Sequence, residues 1–400
     1  MKKKCVRNSV ASEKGKLLKA GLTVMVSLVS ITNGYAGQTF EMGGESSLTV
    51  GLGLRTSYIS LQDGAPNGVS RSNKFNIDNA RLYISGQLNN MIKGTLNTEK
   101  DSSGKVVLMD GFTELALSDD FNFRLGRMIP PTDRSNLDGP FYLNVWQFPI
   151  VSAYPNLAIG RDNGVLAWGK PMGGKVVYSL GAFTGHNVVS GGSNASAKLL
   201  YAGRLAINFL DPEPSPAYYT ASTYYGAKDL LTLGLVYQYQ RDGVGSSKTV
   251  QGDYKSWNAD LLFEKKLPGD GVVTMEGAYY KYGLGSLDCG TSEPGAVACV
   301  NPGNEANVGG LVAGKAYLAT FEYMFPEKVG LGNFQPFVRF QNFKRDVSQT
   351  TKKQTDIGVN YIMKGHNARI SAVYSKLSDN QLVAALADRN QFLIGFQFQY

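Results

Sequence analysis

A transmembrane antiparallel β-barrel of about sixteen strands is the fold this sequence predicts, and three observations predict it. Residues alternate in character along most of the chain from Thr49 onward. Short and long connections alternate between the resulting segments. The second face of those segments carries arginine and lysine that a dry core could not hold unpaired. Composition agrees, with 47 Gly, 22 Tyr, 19 Phe and only 18% charged residues. Mean hydropathy is just −0.17, as expected where only alternate residues face lipid.

The chain opens on a basic region (Lys2, Lys3, Lys4, Arg7, Lys14, Lys16 and Lys19), an apolar run from Ala20 to Ile31, and the small residues Gly34 and Ala36. This order predicts a secretory signal peptide over residues 1–36, cleaved near Ala36. The apolar run is short of the ~20 residues a spanning helix needs. Residues 37–400 are then a single barrel domain. Removing residues 1–36 takes seven of 40 Lys and Arg and one of 32 Asp and Glu, which leaves 33 against 31, a net charge of +2. No broad basic field remains, so nucleic acid is not an expected partner.

In the first segment Val50, Leu52, Leu54, Thr56 and Tyr58 take one face, while Gly51, Gly53, Arg55 and Ser57 take the other. The same division predicts strands over Ala80–Leu88, Ile92–Glu99, Val106–Leu117, Phe121–Gly126, Val165–Gly169, Val176–Thr184 and Leu199–Phe209. It continues over Leu231–Tyr239, Trp257–Lys265, Val272–Tyr282, Tyr317–Phe325, Val338–Phe343, Ile357–Met363, Ile370–Tyr374 and Phe392–Tyr400. Tyr58, Trp168, Tyr237, Tyr239, Trp257, Tyr279, Tyr323, Tyr361 and Tyr374 fall near strand ends, where the interfacial girdles of a barrel sit. A soluble sandwich would hide its inward arginines in a second sheet; a water-filled lumen accommodates them.

The short connections include Asn89–Met91, Ser118–Asp120, Pro268–Gly271 and Lys364–Asn367, and the long ones include Gln62–Asn73, Ile129–Pro155, Asp242–Asp253 and Ser286–Val312. Two connections break the alternation. Asp101–Gly104 is short for an external loop, and Asp211–Lys228 is long for a periplasmic turn. The third external connection, Ile129–Pro155, is irregular and rich in aromatic residues (Phe141, Tyr142, Trp146, Phe148 and Tyr154), which points to a functional loop at a pore constriction.

The last segment sets Phe392, Ile394, Phe396, Phe398 and Tyr400 on one face and finishes on an aromatic residue, which resembles the terminal strand that Gram-negative outer-membrane proteins present to the barrel-insertion machinery. Within that group, FNIDNARLYISG (Phe75–Gly86), GRMIPP (Gly126–Pro131) and GRDNGVLAWG (Gly160–Gly169) resemble three motifs of the phosphate-selective porins of types O and P. The resemblance implies a 16-stranded homotrimeric barrel in the outer membrane, with the third external loop folded into the lumen. It also implies passive diffusion of small ions or solutes, with a possible preference for anions such as phosphate.

Departures from the family pattern lie where selectivity would. Asp78 and Asn79 stand where the family has an arginine pair, and Ile129 where it has lysine. The loop itself holds Asp133, Arg134 and Asp138 and no lysine. Candidate pore-lining or constriction residues are Arg55, Arg81, Lys93, Arg124, Arg127, Asp133, Arg134, Asp138, Arg204, Arg339 and Arg369. They face inward acids at Asp110, Glu114, Asp260, Glu264, Glu322 and Asp356, so any one of them could line the pore or brace the wall as an ion pair. Arg161 and Asp162 are expected to anchor the loop's return.

Cys289 and Cys299 lie in a Gly- and Pro-rich external loop, and export makes a disulfide between them the expectation. No cofactor or metal is expected, since neither His186 nor His366 has a ligand-spaced partner. No haem-attachment, serine-hydrolase, zinc-protease or nucleotide-binding motif occurs, so an enzyme is not expected. A rival reading is a barrel that sheathes an electron-transfer partner; it predicts a lumen free of the inserted loop.

Overall fold

The computed structural model describes residues 37–101, 103–152, 160–185, 188–189, 192–193, 198–214, 219–245, 251–283, 313–346, 349–380 and 388–400. The expected signal peptide and the Cys289–Cys299 pair lie outside these residues.

Sixteen long strands carry the fold: β1 (Ser46–Leu61), β2 (Ser72–Gln87), β3 (Ile92–Lys100), β4 (Val106–Ala116), β5 (Asn122–Met128), β6 (Asp162–Gly169), β7 (Val176–Phe183) and β8 (Leu200–Asn208), then β9 (Leu230–Gly245), β10 (Gln251–Lys266), β11 (Val272–Gly283), β12 (Gly314–Met324), β13 (Gly332–Arg345), β14 (Thr351–Lys364), β15 (Ala368–Asp379) and β16 (Asp388–Gln399). Each pairs antiparallel with its sequence neighbours, and β16 pairs back onto β1 from Gly53↔Gln399 to Leu61↔Gln391, which closes the barrel. The expectation of a sixteen-stranded closed barrel is therefore met. At the seam, Leu52 and Tyr400 exchange both backbone hydrogen bonds, at 2.7 and 2.8 Å. The short strand Gln38–Gly43 runs beside β1 just beyond that point. Among the described residues no helix is long and apolar enough to cross a membrane; strands make the crossings.

The period-2 pattern sorts side chains as expected. Leu52, Leu54, Leu82, Leu235, Phe321, Ile394, Phe396 and Phe398 are exposed on the outer face, while Arg55, Ser57, Asp110, Arg204, Asp260, Arg339, Asp356 and Arg369 are buried on the inner one. Tyr237, Trp257, Tyr279 and Tyr374 are exposed, as girdle residues should be. Trp168 departs from that expectation. It is buried on the inner parity of β6, and its Nε1 donates to Glu114 at 3.2 Å.

Two of the register shifts between strands bear on the third loop and its surroundings. At the first, Arg55 pairs with Asn79 and Thr56 with Ile77, so Asp78 is an extra residue in β2. Phe75 and Ile77 stay outward with Leu82, while Asp78 and Asn79 both bond inward. At the second, Asn97 pairs with Asp110 and Thr98 with Leu108, which leaves Met109 as an extra, buried residue.

The connection from β5 to β6 is less irregular than its sequence suggests. Arg134–Tyr142 forms a short helix broken at Gly139 (φ 60°, ψ 179°), just before Pro140. The apolar cores are built around this connection. Met128, Ile129 and Leu137 pack with Phe112, Leu166 and Phe183; Val151 packs with Tyr280, Tyr282 and Phe343; Val145 and Trp146 pack with Phe337, Val373 and Leu393.

Candidate functional site

The connection after β5 touches inward side chains around most of the wall, and four wall arginines donate to its backbone carbonyls. Arg204 Nη1 reaches Thr132 O at 3.3 Å, Arg369 Nη1 reaches Asn144 O at 3.3 Å, Arg55 Nη2 reaches Trp146 O at 2.6 Å and Arg339 Nη1 reaches Gln147 O at 2.9 Å. These arginines come from β8, β15, β1 and β13. Inward alternation supplies their position, and unpaired loop carbonyls supply their acceptors.

Side chains of the connection complete the grip. Asn144 donates to Glu322 on β12, Trp146 Nε1 donates to Asp78 at 2.9 Å, and Tyr280 and Tyr282 donate to Asp133 and to Val151 O at 2.8 and 2.9 Å. Two aromatic rings sit where the wall lacks side chains. A Cβ on Gly53 would fall 2.6 Å from Phe141 Cζ, and one on Gly395 would fall 2.6 Å from Trp146 Cε2. Above those rings lie guanidinium groups, Arg81 at 5.3 Å from the Phe141 centroid and Arg55 at 3.9 Å from that of Trp146.

The remaining sequence candidates divide by partner. Arg204 is held bidentately by Asp260 at 2.6 and 2.7 Å, Arg339 by Asp356 at 2.8 Å, and Arg81 by Glu99. Arg134, fully buried, pairs with Glu213 at 3.0 Å and donates to Ala221 O at 3.0 Å. Burial works against its charge, but the carboxylates of Glu213, Asp260 and Asp138 hold its pKa well above the ordinary arginine value. Asp133 accepts from Tyr280 and Asn136, yet burial raises its carboxyl above the usual range. Asp138 accepts from Thr220 and Ser222; burial first, then the charge of Glu276, pushes it well upward.

Lys93 and Arg124 line a polar cavity of about 180 Å³ with Ser47, Thr49, Ser85 and Glu114. Arg124 is also paired to Glu114 and lies near the Phe112 and Trp168 rings. Arg127 sits elsewhere. It pairs with Gly111 on the outward parity of β5, and its guanidinium donates to Leu108 O and Asn163 Oδ1. Of the residues expected to anchor the loop's return, Arg161 donates to Asp110 at 3.0 Å, and Asp162 accepts from Gly185 N at 2.7 Å.

Sequence reading missed Asn144, Tyr280, Tyr282 and Gln397, which donates to Phe141 O at 2.9 Å; their neutral side chains carry no charge signal. It also missed the excursion between β8 and β9 as a partner of the helix, although its unusual length was visible.

A closed barrel of this strand number, apolar outside and charged within, whose connection after β5 is bonded to its inner face, defines an outer-membrane porin. The sequence model of the family "Phosphate-selective porin O and P" matches residues 49–400, and the chain belongs to that family. No curated protein matches the chain in sequence. Solved structures share its fold: OmpF of Salmonella typhi in complex with daunomycin (TM-score 0.57, 10% identity, 89% of this chain and 98% of that one) and an anion-selective porin from Comamonas acidovorans (0.54, 12%, 89% and 100%). A trimer form of OmpT of Vibrio cholerae is a third (0.53, 11%, 89% and 100%).

Proposed function

We propose that the protein is a passive channel for small hydrophilic solutes with a mild preference for anions, and that the connection after β5 is folded into the lumen as its constriction. The observation that carries the preference is the setting of Arg55 and Arg369. Both are buried beside the Asn144–Trp146 stretch, donate to neutral carbonyls, and have no carboxylate within salt-bridge distance among the described residues. A carbonyl accepts from a guanidinium without cancelling its charge, so the positive potential persists in the bore. The constriction lacks lysine, which supports a mild preference over strong phosphate binding.

Assembly as a homotrimer in the outer-membrane lipid, export through residues 1–36, delivery to the insertion machinery by β16 and a Cys289–Cys299 disulfide belong to the same reading. The bonds between the connection and the inner wall argue against a sheath around a redox partner, which would need that space. The test is a reversal potential across a planar bilayer under a potassium chloride gradient, repeated with phosphate. An anion-directed potential is expected; a cation-directed one overturns the preference, and a folded barrel without current overturns the channel.

A further inference from the structure

The connection between β8 and β9 does not turn back at once. Backbone bonds from Phe209 N to Leu231 O (2.8 Å) and from Asp211 N to Asp229 O (3.0 Å) bring its ends together, and the chain between them makes an excursion at the short-turn mouth. Ala221, Ser222 and Thr223 are buried, which is unusual for a turn. Their burial has two sides.

Toward the helix of the third loop, Glu213 pairs with Arg134, Ala221 O accepts from Arg134, and Thr220 and Ser222 donate to Asp138 at 2.6 and 2.7 Å. Ser222 N also donates to Tyr142 O at 3.1 Å. Toward the wall, Glu264 of β10 accepts from Thr223 Oγ1, from Tyr224 N at 3.0 Å and from Gly226 N at 2.8 Å. His366, in the turn between β14 and β15, contacts Thr223 O through Nε2 at 3.0 Å; its ring lies 4.8 Å from that of Tyr225 and 4.9 Å from that of Tyr142.

We propose that Glu213 and the run Tyr219–Gly226 form a second constriction element, entering from the mouth opposite the third loop, and that Glu213 is its positioning residue. The inference rests on the channel reading for its functional part, while the docking rests on the contacts alone. Two segments from opposite mouths meet at an ion pair and the hydrogen bonds around it, with the excursion fastened behind to Glu264. The third-loop helix therefore has a fixed floor. Loss of the Glu213 charge leaves Asp260, 3.8 Å away, as the one carboxylate within ion-pair distance of buried Arg134 among the described residues, and an under-compensated buried charge favours release of the contact.

The experiment uses the full-length barrel with Cys289 and Cys299 replaced by serine and Ser222→Cys introduced, probed with a charged methanethiosulfonate reagent and by single-channel conductance. Ser222 is 1% exposed, so the new thiol is expected to react slowly. Adding Glu213→Gln is expected to raise its labelling rate on the order of tenfold or more by local opening, and to raise single-channel conductance; Glu213→Asp should restore both toward the parent. Unchanged labelling and conductance in a barrel that still shows heat-modifiable migration overturn the proposal. Faster labelling with unchanged conductance overturns the role in setting the bore. Absence of current in every variant, with labelling still responsive, overturns the channel reading and leaves the docking supported. If Ser222→Cys fails to fold, the conductance of Glu213→Gln against Glu213→Asp decides alone, and identical values overturn the proposal.

Discussion

Arg55 and Trp146 meet twice: the guanidinium donates to the Trp146 carbonyl at 2.6 Å and also lies 3.9 Å from the centroid of the indole ring. A charge-assisted hydrogen bond contributes roughly 1.5–3 kcal/mol, and a desolvated cation–π contact adds about 2 kcal/mol. Arg55→Met is therefore expected to destabilise the folded barrel by about 2–4 kcal/mol after partial repacking. Urea unfolding of the barrel in lipid reads the loss, and tryptophan emission reads exposure of Trp146. Wild-type values for both would refute this account of the contact.

Gly395 is predicted to resist even alanine. Its backbone suits any residue, but a Cβ would meet the Trp146 ring at 2.6 Å. Overpacking of this kind costs about 1–3 kcal/mol, so Gly395→Ala should displace the indole, shift its emission and alter conductance. An unshifted emission spectrum would show that the ring does not sit against β16.

Asp138 gives a pH dependence. Its folded carboxyl is raised well above the usual value by burial and then by Glu276, so the folded state holds this proton more tightly than the unfolded one. The associated stability is full below the ordinary carboxylate pKa and is lost as pH rises through the elevated folded value. Asp138→Asn imitates the protonated acid. It should stay within about 1 kcal/mol of the parent at low pH and overtake it at high pH. Parallel stability curves for parent and variant would rule out the raised carboxyl.

His366 has the opposite sign. Burial and then the Arg369 charge lower its folded pKa from 6.5 to about 3, so the ring is neutral in the fold. Its contribution is fully present above the unfolded value near 6.5 and is lost as pH falls from there through about 3, with a slope of at most about 1.4 kcal/mol per pH unit for one proton. His366→Gln should flatten that part of the unfolding curve measured between pH 3 and 7. A variant with an unchanged slope would place the acid sensitivity elsewhere.

The barrel was legible because lipid outside and water inside impose a period of two on every strand, and residues such as Leu52 and Arg55 could be assigned faces directly. The bulges were not legible, because an extra residue such as Met109 or Asp78 leaves hydropathy unchanged while moving its neighbours across the sheet. Arg127 shows a related limit: proximity in sequence to the third loop suggested the lumen, whereas pairing with Gly111 sends it outward. Arg55, Arg204, Arg339 and Arg369 were identifiable as inward. Their acceptors were not, since a backbone carbonyl is present at every residue and carries no sequence signal. The excursion after β8 announced itself by length and proline, but its contacts with Arg134 and Asp138 span some 80 positions of chain.

Asp78 is the surplus residue of its bulge, with Arg55 facing Asn79 and Thr56 facing Ile77 on either side of it. Excising it would leave every other pairing of β1 with β2 in place and every neighbour on its present face. Among the described residues the hydrogen bond lost would be the one from the Trp146 indole. The barrel thus carries its loop fastener as a detachable part: one codon removed or restored would adjust how firmly the pore is furnished without redrawing the wall that surrounds it.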